Sequence, residues 1–69
     1  MKNKNLVAAR KRTDMTQKEV AARLGIAESA YRRYELGGAI PSVVTGNVIA
    51  KVLNSTSEHL WGYGSTKGL

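Results

Sequence analysis

Cysteine is absent from this chain, and histidine occurs once, at His59. Without cysteine there is neither a disulfide frame nor a thiolate metal site. One histidine does not make a side-chain metal site, so His59 is expected at the surface or half-buried, and no metal is expected. No apolar run approaches the roughly 18 residues of a membrane span. The opening MKNKNLVAARKR lacks the apolar h-region of a secretory signal. A cytoplasmic location and no membrane partner are the expectation. Nor does the sequence hold a recognisable nucleophile–base pairing or a cofactor loop. The glycine-rich GYGSTKG near the end lacks the G-x-x-x-x-G-K-[ST] order of a phosphate loop, and no helical segment follows it. Neither enzymatic activity nor a cofactor is expected. Negative charge is also scarce: five acids stand against eleven Lys and Arg, leaving a net charge of +6. The cations crowd the first and third helical segments, which favours an anionic partner over a merely solvated basic face.

The 69 residues have room for one core. Five helices and no strand are predicted: Asn5 to Arg12, Thr16 to Leu24, Ala27 to Leu36, Ser42 to Leu53 and a short Ser57 to Trp61. The domain is placed at residues 1–61, and the glycine-rich 62–69 is expected to be a flexible tail. The most informative stretch is TQKEVAARLGIAESAYRRYELGGAIP, Thr16 to Pro41. Thr16 and Glu19 have the spacing of a capping box and start a helix. Its apolar stripe is Val20, Ala21 and Leu24, and Gly25 supplies the left-handed backbone that ends it and turns the chain. The next helix turns Ala30, Tyr31 and Tyr34 inward and Glu28, Ser29, Arg32 and Arg33 outward, and Gly37-Gly38 closes it. Two such helices joined by a short glycine turn are a helix-turn-helix, whose second helix can enter the major groove of DNA.

At these residues the sequence resembles the Cro/C1-type (XRE-like) helix-turn-helix family, which includes phage repressors and small bacterial regulators. The pieces that carry the resemblance are Arg10, Thr16-Gln17, Ala21, Gly25, Glu35-Leu36-Gly37 and Pro41. It implies an all-α fold, a compact four-to-five-helix bundle like the DNA-binding domain of lambda repressor. The implied partner is double-stranded DNA. By the family pattern the base-reading positions fall on Glu28, Ser29 and Arg33, with Arg32 beside them. Arginine can bind guanine O6 and N7 with two bonds, glutamate can accept from cytosine N4, and serine is permissive. Thr16 and Gln17 open the second helix, where unpaired N–H groups favour a phosphate, and Lys18, Lys11 and Lys2 can add backbone charge. The bland alternative for the basic helix is solvent exposure with Arg32 paired to Glu28 at i−4. The family pattern also makes Arg10 and Glu35 a partly buried ion pair. Their role is then structural, as is that of the core candidates Leu6, Met15, Val20, Leu24, Ile26, Tyr31, Tyr34, Ile49, Leu53 and Leu60.

Three features depart from that pattern. Glu28 places a negative charge at the leading tip of the reading helix, near the phosphate backbone. The turn after the third helix carries Leu36, Gly38, Ala39 and Ile40, which offer no charge to phosphate. The fourth helix has two apolar stripes, Val43, Ile49, Ala50 and Leu53 toward the core and Val44, Val48 and Val52 on another side. A helix apolar over most of its circumference is expected to be covered on two sides. Leu36, Ile40, Val44, Val48, Val52 and Trp61 therefore form a candidate protein interface, unless the fifth helix and the tail fold over it. Two function classes follow. One is a sequence-specific transcriptional regulator, a phage or bacterial repressor or Cro-like protein, dimeric on DNA. The other is a protein-binding modulator or antirepressor that captures a repressor through the apolar patch. Either a homodimer or association with another repressor protein fits.

Overall fold

Asn3, Thr16, Ser42 and Thr56 each stand just before a helix, and each side chain accepts a hydrogen bond from the backbone N–H three residues on. Such bonds satisfy N–H groups that a helix start would otherwise leave unpaired. The computed structural model describes residues 2–62. Their helices are α1 (Lys4–Arg12), α2 (Gln17–Leu24), α3 (Glu28–Leu36), α4 (Val43–Val52) and α5 (Ser57–Trp61), and no strand occurs among the described residues. The residues expected to be a loose tail lie outside the described part, except Gly62, whose left-handed backbone closes α5.

At α2 both halves of the capping box are present, the Thr16 hydroxyl accepting from Glu19 and the Glu19 carboxylate accepting from the Thr16 N–H. The α3 start differs: Ala27 makes no side-chain cap, and Glu28 in the first turn meets the positive end of the helix dipole instead. Gly25 ends α2 at φ 72°, its N–H and that of Ile26 bonding back to Ala22 and Ala21. That left-handed geometry strains any residue with a Cβ and sets the sharp α2–α3 turn.

The core is drawn from every helix: Leu6 and Ala9, Val20 and Ala21, Tyr31, Ile49, Ala50 and Leu53, and Leu60. Met15, Leu24, Ile26 and Tyr34 pack around it, partly buried. The alanines let helices approach closely, and α2 packs most extensively on α3. Two expectations about the apolar faces of α4 and α5 are corrected. Val43 is 55% exposed. As the first helical residue its side chain leans back beyond the core's edge, and Gly46 takes the inward position on the next turn. Val52 and Trp61, assigned to the outer patch, are instead partly buried against the core. Val52 sits only about 60° around the helix from Ile49.

Asn3 joins three parts of the chain. Its Oδ1 caps α1 by accepting from Leu6, its Nδ2 donates to the Leu60 carbonyl at 2.8 Å, and its N–H donates to the Glu35 carbonyl at 2.8 Å. The N-terminus is thereby tied to the last turns of both α3 and α5.

Candidate nucleic-acid interface

Thr16, Gln17 and Lys18 at the start of α2 line one shallow cleft with Glu28 at the start of α3 and with Arg10, Lys11, Asp14 and Met15. The α1–α2 turn that forms its wall is held by Arg10, whose Nη1 donates to the Met15 carbonyl at 3.0 Å. Asp14 takes a left-handed conformation there, φ 59°.

Below the cleft lies one buried carboxylate. Glu35 is 2% exposed. Its Oε2 accepts from Arg10 Nε at 2.6 Å and from the Tyr31 hydroxyl at 2.7 Å, and its Oε1 accepts from Arg10 Nη2 at 3.3 Å and Gln17 Nε2 at 2.8 Å. Four donors converge on one anion, the arrangement that makes a buried charge tolerable. Burial pushes the Glu35 carboxyl up, but hydrogen bonds from Arg10, Tyr31 and Gln17, with the Arg10 charge, outweigh it and hold the group below the ordinary carboxylate range. Burial and the bond to Glu35 push the Tyr31 hydroxyl well above its usual value. The guanidinium of Arg10 is held protonated by its bond to Glu35, with burial acting against it.

The outer surface of α3 carries the polar set. Ser29, Arg32 and Arg33 are exposed and Glu28 is half-exposed. Arg32 pairs with Glu28 at 2.8 Å and also donates to Gln17 at 3.3 Å. Arg33 has no hydrogen bond or ion pair from its side chain among the described residues. Thr16 and Lys18 are exposed beside the α2 start. Gln17 stands at the α2 start, where the sequence reading expects backbone N–H groups to favour a phosphate, and both ends of its side-chain amide are engaged, one by Glu35 and one by Arg32. Sequence reasoning missed this, because the Glu35 contact joins residues far apart in the chain. The Tyr31–Glu35 bond was accessible to it, since residues four apart share a helix face.

Leu36, Ile40, Val44 and Val48, with Val43, remain exposed, Ile40 by 72% and Val44 by 74%. Among the described residues no helix is long and apolar enough to cross a membrane, and no three His, Cys, Asp or Glu side chains gather to hold a metal.

A helix-turn-helix family model matches residues 6–60. YqaE of Bacillus subtilis (strain 168), described as an uncharacterised HTH-type transcriptional regulator, is 37% identical over 60 residues, covering 87% of this chain and 52% of the relative. The chain thus spans about half the length of that relative. No solved structure matches it.

Proposed function

Because this chain belongs to the helix-turn-helix family, we propose that it regulates transcription by placing α3 in the major groove of duplex DNA, as a phage or bacterial repressor or Cro-like protein. The observation that carries this reading is the outward edge of α3. Ser29, Arg32 and Arg33 are exposed there, next to the exposed Thr16 and Lys18 at the start of α2. Unpaired N–H groups at a helix start suit a phosphate, and side chains early in the following helix reach base edges. The similar B. subtilis protein is named a transcriptional regulator, in keeping with this role. Replacing Arg33 with Ala is expected to relax base choice at one position and to cost about 1–3 kcal/mol there. Binding titrations on duplexes varied one base pair at a time measure this. An unchanged preference and affinity contradict the role of Arg33.

A second surface supports dimerisation. Leu36, Ile40, Val43, Val44 and Val48 are each 47–74% exposed, and the sequence has no charged residue between Glu35 and Lys51. In a chain of net charge +6, this is a face on which two copies can meet without bringing like charges together. Its occupant on this reading is a second copy, arranged two-fold so that two α3 helices meet half-sites about 34 Å apart. Sedimentation equilibrium is expected to find a dimer that Val44→Asp converts to monomer with its helical content intact. A monomeric wild type contradicts self-pairing. If such a monomer binds another repressor protein and Val44→Asp abolishes that binding, the face belongs to the modulator reading.

A further inference from the structure

The guanidinium of Arg32 is held along one edge only. Its Nε donates to Gln17 Oε1 at 3.3 Å and its Nη2 to Glu28 Oε2 at 2.8 Å. Nε–H and one Nη2–H lie on the same side of the planar group. The outer fork, made of one Nη1 hydrogen and the second Nη2 hydrogen, has no partner among the described residues. With its side chain 48% exposed, Arg32 presents this fork to solvent.

The orientation of Gln17 follows from what lies beneath it. Glu35 is an acceptor only, so the amide must turn its NH2 inward, where it donates at 2.8 Å. The Gln17 carbonyl is then left facing Arg32, which can only donate. Arg10 and Tyr31 fix Glu35 in turn. A continuous chain of hydrogen bonds thus runs from a buried ion pair to one exposed cation on α3. A long side chain held by two bonds along one edge has less rotamer freedom to lose on binding than Arg33, whose side chain makes no hydrogen bond or ion pair among the described residues.

We propose that Arg32 is a pre-set grip for two in-plane acceptors of duplex DNA, and that Gln17 and Glu28 are positioning residues for it and not DNA contacts themselves. The acceptors are two phosphate oxygens or O6 and N7 of guanine, which match the fork equally. This rests on the DNA-reading function proposed above.

The test is a pair of double-mutant cycles, read as affinity for a labelled duplex enriched by the wild type from a random pool. Arg32→Ala, Gln17→Ala and Glu28→Ala are each expected to weaken binding roughly five- to tenfold. Once Arg32 is Ala, replacing Gln17 or Glu28 is expected to cost nothing more. Losses that add in the double mutants show that Gln17 or Glu28 acts on DNA independently and overturn the proposal. If Gln17→Ala proves poorly folded, the Glu28 cycle decides, because the Glu28 carboxylate bonds to Arg32 and not to the buried Glu35 cluster. A salt slope that falls by about one in Arg32→Ala identifies phosphate as the source. A preference lost at one G·C pair identifies guanine. A wild type that binds no duplex overturns the DNA reading and the grip together, whereas binding with additive losses overturns the grip alone.

Discussion

Replacing Glu35 with Ala is expected to destabilise the protein by about 3–5 kcal/mol, the cost of breaking a buried ion pair by removing one partner. The loss leaves Arg10, 14% exposed at its side chain, without its anion. It also leaves the Tyr31 hydroxyl and the Gln17 amide without acceptors. A domain of this length is stable by roughly 3–10 kcal/mol in all, so the variant should be largely unfolded or close to it at 25 °C. Urea denaturation followed by helical circular dichroism measures the difference. A loss below about 1 kcal/mol would mean that the cluster contributes little net stability. The same group sets a pH dependence. Folding holds the Glu35 carboxyl below its ordinary 4.5, so the unfolded chain takes up the proton first as pH falls. Its contribution is complete above that value and is lost as pH drops through the folded value. Tyr31 acts at the other end, its hydroxyl held above the ordinary 10.0, so stability is lost as pH rises past that point.

The second large effect is on binding. Raising salt from about 50 to 200 mM is expected to weaken duplex affinity by about 10²–10³, given roughly four to six neutralised phosphates and a slope near −0.9 for each. Lys18, exposed one residue beyond Gln17, is expected to supply one of them. Lys18→Ala should reduce the slope by about one and weaken all sequences alike. A salt-independent affinity would place the binding energy elsewhere than on the phosphates. The uncharged turn Gly37–Ile40 can offer backbone N–H groups only, so on the proposed reading the charge is expected from the basic residues of α1 and α3 and from Lys18.

The helices were legible because their boundaries are chemical and local. Thr16, Glu19 and Gly25 mark α2 through bonds that span a few residues, and the structure has each of them. The start of α1 was less so: it begins at Lys4 because Asn3 caps it, and the other two bonds of Asn3 reach Leu60 and Glu35 across the fold. Periodicity placed Val43 in the core because it counts angles about an axis and does not register where the neighbouring helices end. Gly46, buried by its backbone, carries no hydropathy signal, so the inner face of α4 was assigned to the wrong valine. At the candidate interface, residue types named the exposed cations of α3. They did not reveal that Gln17 is turned toward Glu35 and Arg32, because that depends on where α3 ends relative to α2.

Selection from a random duplex pool at near-physiological salt, with the wild type beside an Arg32→Ala, Arg33→Ala double mutant, tests the central claim most directly. The account predicts an enriched motif for the wild type that disappears in the double mutant while its helical content is retained. A folded wild type that enriches no motif, or a motif that survives loss of both arginines, would contradict groove reading by α3.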